Sequence, residues 1–176
     1  MAPGRREALI LGAAGIAAAA AGFLAGPLLL GDRGRGDDVL RSATLVDLVG
    51  KPRPVTEWEG QVVVWNFWAT WCAPCREEIP LLIATREKYK ALGVEIVGIA
   101  IDNAAKVREF SSSFAISYPV LLAGSDGLEI MRKLGNNSGG LPYTLVVDRS
   151  GKVVHRKLGA LKAGNLDVVL GPLTRS

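Results

Sequence analysis

Apolar positions along the chain fall into one long uncharged block and several short ones with two different periods. The long block is Ala8 to Leu30, which carries no charged residue. Within the rest, Val62-Val63-Val64-Trp65-Asn66-Phe67-Trp68 is almost continuously apolar. Bounded by Gly60 and a cysteine motif, it has the pattern of a central strand buried on both faces. Val94 to Ile101, rich in β-branched residues, predicts a second strand. Between them Ile79, Leu82 and Ile83 recur at helical spacing, which predicts a helix from about Cys75 to Leu92 that Gly93 stops. A helix over Lys106–Phe114, a short strand over Tyr118–Leu122 and a helix over Asp126–Leu134 follow, the last with Asp126 as cap and Gly135 as stop. Thr144–Asp148 and Val153–Leu158 read as strands joined by the turn Arg149-Ser150-Gly151-Lys152, and a helix over Lys162–Leu170 closes the chain. This order predicts an α/β sandwich with a central mixed sheet flanked by helices.

The long uncharged block does not fit that scheme. A bilayer-spanning helix needs roughly 20 apolar residues, and Ala8–Leu30 is long enough. Arg5 and Arg6 precede it, which favours an N-terminus held in the cytoplasm and a chain that continues outside. Residues 1–31 are therefore expected to be a membrane anchor or export signal. The run Arg5-Arg6-Glu7-Ala8-Leu9-Ile10 also resembles a twin-arginine signal. Cleavage after Ala19-Ala20-Ala21 would leave Phe23, Leu24 and Leu28–Leu30 exposed, so the retained anchor is the leading form and a soluble, cleaved form the alternative. Residues 32–43, poor in apolar side chains, are expected to be a flexible linker, and 44–176 the folded domain.

Composition narrows the function. At 49% hydrophobic and 22% charged residues, the chain can bury a core. Its formal net charge of +4 is spread along the sequence with no dense basic run, which argues against nucleic acid as a partner. The only cysteines are Cys72 and Cys75. A bridge between them closes too small a loop to constrain the unfolded chain much, so the pair points to chemistry rather than stapling. A zinc site would need more ligands than one histidine and one Cys pair offer, and no metal or other cofactor is expected.

In Trp71-Cys72-Ala73-Pro74-Cys75 the motif follows a buried strand and opens a helix. Residues three apart in a first helical turn lie within reach of a disulfide. Unpaired N–H groups and the macrodipole favour a thiolate on Cys72, so Cys72 is the expected exposed nucleophile and Cys75 the shielded resolving thiol. Pro74 suits the first turn.

The segment Asn66-Phe67-Trp68-Ala69-Thr70-Trp71-Cys72-Ala73-Pro74-Cys75-Arg76-Glu77-Glu78-Ile79-Pro80 resembles the active-site region of thioredoxin-like proteins, in particular their membrane-anchored TlpA/ResA branch. Pro80 matches that branch's helix proline, and Leu141-Pro142 matches its cis-proline loop. The resemblance implies a thioredoxin-like fold with an inserted strand and helix around Tyr118–Leu134, and places Trp71, Leu141 and Pro142 at the client-binding surface. Asn66 stands where ordinary thioredoxin has a buried aspartate, whereas Glu78 matches the acidic residue of the ResA-like branch. Glu78 also borders the apolar side of its helix, where an acid should have a raised pKa and could exchange a proton with Cys75. Glu77 reads as a solvated acid.

The resemblance implies an extracytoplasmic reductant of client disulfides, fed by a membrane thiol transporter, with apocytochrome c as one client class. Alternatives on the same residues are a dithiol oxidase, a thiol peroxidase and a chaperone-like binding module. Ala69 stands where a peroxidase carries Thr or Ser. The topology has a direct check. A reporter active only outside the cytoplasm should work when fused after Ser176, and activity of a cytoplasm-only reporter there would exclude export.

Overall fold

The computed structural model describes residues 39–175. The expected anchor, 1–31, and most of the expected linker lie outside them. Among the described residues no helix is long and apolar enough to cross a membrane.

Strands β1 (Thr44–Asp47), β2 (Pro52–Pro54), β3 (Val62–Trp68), β4 (Val94–Ala100), β5 (Val120–Leu122), β6 (Tyr143–Val147) and β7 (Val153–Leu158) form one sheet in the order β2-β1-β5-β4-β3-β6-β7. β4 runs parallel to β3 and β5, and every other pairing is antiparallel, so the sheet is mixed. Helices α1 (Ala73–Tyr89), α2 (Ala104–Ser113), α3 (Gly127–Lys133) and α4 (Asn165–Leu173) complete the domain. β5 and α3 are the inserted strand–helix element.

The central strand explains the layering. Strand side chains alternate between faces. Along β3, Val62, Val64 and Trp68 enter one apolar cluster while Val63, Trp65 and Phe67 enter the other. The first cluster takes Leu82 and Tyr89 from α1, Val107 from α2 and Leu166 and Leu170 from α4. The second takes Met131 from α3 and the turn residues Val55 and Trp58. Burial on both faces is why the strand reads as continuous apolar sequence rather than as alternation.

One row across the sheet breaks the apolar rule. Asn66 pairs with Gly98 on β4 and with Thr144 on β6, so the three share one face and one register line. Asn66 and Thr144 are buried. A Cβ on Gly98 would come within 2.9 Å of Trp68 Nε1 and 3.0 Å of Tyr118 Cε2, so these two rings close over the glycine. This row lies beneath α1.

The β1–β2 hairpin was not expected from sequence. It has only three residues in β2, two of them proline, which suits an edge strand and defeats pattern reading. Asp47 Oδ1 organises its turn by accepting from Val49 N–H (3.0 Å) and Lys51 N–H (2.9 Å). The first described residues are also packed. Leu40 is buried, and Val39 and Ala43 lie against the second cluster, ahead of the boundary expected at Thr44. Helix α4 begins three residues later than expected, because Gly164 at its N-cap holds a left-handed φ of 81°.

Candidate redox site

β3 delivers the chain to the site and α1 presents it. Thr70, in the turn between them, donates from both N–H and hydroxyl to Asp102 Oδ2 at the end of β4. Burial works against the Asp102 charge. The Thr70 hydroxyl and the N–H groups of Asn103 and Thr70 outweigh it and hold the carboxyl below its ordinary range. The turn before the cysteines is thus tied to the neighbouring strand.

Cys72 is the N-cap of α1, with Pro74 in the first turn. Its Sγ accepts from Cys75 N–H at 3.3 Å, so the sulfur itself caps an orphan backbone donor. Cys72 and Cys75 are joined in a disulfide, with Cα atoms 5.3 Å apart and S–S 2.07 Å. Cys72 is 6% exposed and Cys75 fully buried, so the order of exposure is as expected while Cys72 is more enclosed than an open nucleophile. Both belong to the apolar cluster beneath α1. Trp71, immediately before, is 69% exposed. Pro80 lies on the exposed side of the helix, where its missing N–H disturbs only the solvent face.

One turn below Cys75, Glu78 turns inward and is only 2% exposed, whereas Glu77 faces solvent. Glu78 Oε1 accepts from Asn66 Nδ2 at 2.7 Å, and Oε2 from Leu161 N–H at 2.7 Å. The Asn66 amide also donates to Thr144 Oγ1 at 3.0 Å. Burial pushes the Glu78 carboxyl above its ordinary value, against the opposing pull of Leu161 N–H, the Asn66 amide and the Lys157 charge. Tyr118 is also buried, and its hydroxyl is pushed up first by burial and then by the Glu78 charge.

Leu141 and Pro142 sit at the start of β6. Tyr143 pairs with Phe67, so Pro142 lies beside the end of β3 from which the cysteine turn departs. The Leu141–Pro142 peptide bond is cis. Pro142 is buried and Leu141 half-buried, touching both apolar clusters. The Pro142 carbonyl accepts from Gly159 N–H at 2.8 Å. All six residues nominated from sequence therefore fall on α1, on the residue before its cap, or on the β6 end beside them. Sequence reasoning missed Thr144 and Leu161. Thr144 carried a weak signal, a polar residue in a buried strand, but Leu161 contributes a backbone N–H that its side chain does not announce.

A CxxC disulfide capping the first helix after a central strand, beside a proline-started antiparallel strand, defines a thioredoxin-like redox domain. The Redoxin family profile matches residues 35–170, and the chain belongs to this family. Thiol-disulfide oxidoreductase ResA of Bacillus anthracis is 33% identical over 131 residues, spanning 74% of this chain and 73% of that protein. ResA of Geobacillus thermodenitrificans is 33% identical over 110 residues, spanning 62% and 61%. Among solved structures, a thioredoxin-family thiol:disulfide interchange protein from Chlorobium tepidum TLS superposes with TM-score 0.66 at 29% identity, covering 76% of this chain and 94% of that one. The protein is a ResA-like thiol–disulfide oxidoreductase with its cysteine pair at disulfide distance.

The raised Glu78 carboxyl has a consequence for stability. The folded protein holds this proton more tightly than the unfolded chain, so the group's contribution is fully present below the ordinary value of 4.5 and lost as pH rises through the folded-state value. In calorimetry of the oxidised protein, Glu78→Gln should gain thermal stability relative to the parent as pH rises from 4.5. A parent–variant difference that stays constant with pH would show that burial does not perturb Glu78.

Proposed function

We propose that the protein is a reductant of client disulfides, with Cys72 as nucleophile, Cys75 as resolving thiol and Glu78 as the acceptor of the Cys75 proton. The observation that carries this is the placement of Cys72 Sγ on the α1 N-cap, facing Cys75 N–H, with the buried Glu78 carboxylate one turn below. In the reduced protein the Cys72 thiolate attacks one sulfur of the client disulfide. The Cys72–client S–S bond forms, the client S–S bond breaks, and the departing client thiolate takes a proton. Cys75 then gives its proton to Glu78, and its thiolate attacks Cys72. The Cys72–Cys75 disulfide forms and the second client sulfur leaves as a thiolate, which protonates. The client gains two electrons and two protons, and the cysteine pair is oxidised to the state present in the structure.

Two features support reduction as the direction. A disulfide becomes strongly oxidising when its reduced form is stabilised. Here one N–H caps the Cys72 sulfur, but the acid bordering the pair and the enclosure of Cys72 work against its charge, so the thiolate is reactive rather than strongly stabilised. Trp71, exposed beside Cys72, and the Leu141–Pro142 end of β6 form the proposed client surface. The uncharged block 8–30 supports an exported domain anchored at the extracytoplasmic face of the inner membrane, fed by a membrane thiol transporter. Apocytochrome c is a proposed client class.

Order of attack is tested by trapping. Cys75→Ser should lose turnover yet accumulate mixed disulfides on Cys72, visible on non-reducing gels, while Cys72→Ser should lose activity and trap nothing. Adducts on Cys72→Ser alone would reverse the roles. Direction is tested by the reduction potential of the domain, expected near the thioredoxin value of roughly −270 mV, whereas a value near about −120 mV would make the protein an oxidant.

A further inference from the structure

A hydrogen-bonded path connects the cysteine helix to the loop at the start of β6. Leu161 N–H donates to Glu78 Oε2 at 2.7 Å, and Gly159 N–H donates to the Pro142 carbonyl at 2.8 Å. Both donors lie in the connector 159–164 between β7 and α4. The segment 159–161 is therefore pinned at one end to a buried acid beside Cys75 and at the other to the proline of the proposed client surface.

We propose that segment 159–161 is a positioning segment, tying the protonation state of Glu78 to the geometry of the Leu141–Pro142 loop, so that resolution by Cys75 and release of the client are coupled. The proposal rests on the reading of Glu78 and Pro142 given above. Both Glu78 oxygens face donors, which suits the ionised carboxylate. Once Glu78 takes the Cys75 proton, one oxygen carries O–H and no longer accepts fully, so a donor must give way. Asn66 is the stiffer of the two, because it sits in β3, hydrogen-bonded on both edges, and its amide also holds Thr144. Leu161 is in a connector outside any helix or strand, entered at Gly159 with a left-handed φ of 88°. The connector yields first, and Gly159 moves with it relative to Pro142.

The groups acting on Glu78 come from several elements. Lys157 on β7 favours its charge, the buried Tyr118 hydroxyl ahead of β5 lies in its field, and Cys75 is on its own helix. Asn66 and Thr144 supply neutral dipoles from β3 and β6. Linkage makes the effect reciprocal: whatever shifts the segment shifts proton affinity at Glu78.

Two glycines allow a matched test. A Cβ at Gly159 or at Gly164 meets nothing within 4 Å, and both have left-handed φ, so Ala at either position strains the backbone without a clash. Only Gly159 lies inside the pinned segment. Carbon NMR of the Glu78 carboxyl in the oxidised protein should share one pH midpoint with the Leu161 and Gly159 amides and the Pro142 carbonyl. In Glu78→Gln those backbone signals should stay flat over the same range. Gly159→Ala should change Glu78 proton affinity by about three- to tenfold, the scale of one weakened hydrogen bond to a charged group. It should change the release rate of a Cys72 mixed disulfide with an insulin B-chain peptide by a similar factor. Gly164→Ala should leave both at parent values. Gly159 and Pro142 signals that are silent through the Glu78 midpoint would overturn the proposal, as would equal effects of the two alanines. If Gly159→Ala does not fold, the comparison of parent with Glu78→Gln decides alone. Absence of a Cys72 adduct in Cys75→Ser would instead reject the cysteine mechanism, while the NMR arm stands independently.

Discussion

β3 is buried on both faces and hydrogen-bonded along both edges, so it has one position in the molecule and everything at its C-terminal end inherits that position. Cys72 follows four residues after it, and the turn between is held to β4 through Thr70 and Asp102. Pro142 is placed by the same strand from the other side, because β6 pairs with it from Phe67 onward. The two parts of the site come from distant stretches of sequence, yet their relation follows from one strand's register. Register in a sheet buried on both faces has little freedom, since a slip by one residue would exchange the two apolar clusters.

Against that rigid frame, Glu78 is held by opposing effects. Desolvation disfavours its charge, while Asn66 and Leu161 supply donors that suit the charged form. Neither effect alone would give the same acid. Burial without donors would leave a neutral acid, and donors without burial would leave an ordinary surface carboxylate. The row Asn66, Gly98 and Thr144 makes the arrangement possible by replacing apolar bulk with an amide, a bare backbone and a hydroxyl under the cysteine helix.

Much of this could be read in the sequence where side chains repeat with a period. β3, β4, α1 and the β6–β7 hairpin appeared within a few residues of their observed bounds, because burial on one or two faces leaves a pattern. The closeness of Cys72 to Cys75 and the inward turn of Glu78 were legible from motif spacing and helix face. What escaped lacked such a signature. β2 is too short and too rich in proline to alternate. Leu40 lies in a stretch whose polar neighbours hide one buried side chain. Asn66 stood out as a departure from thioredoxin, but its partnership with Glu78 depends on α1 crossing above β3. Leu161 acts through its backbone, which every residue but proline also carries.

The four tryptophans are divided sharply by the fold. Trp58, Trp65 and Trp68 are sealed in the apolar clusters, and Trp71 alone stands in water beside the disulfide. A dissolved collisional quencher therefore reaches a single indole, and that indole adjoins the sulfur that changes bonding state. The molecule carries its own optical gauge of the cysteine pair, with the other three emitters as a shielded background.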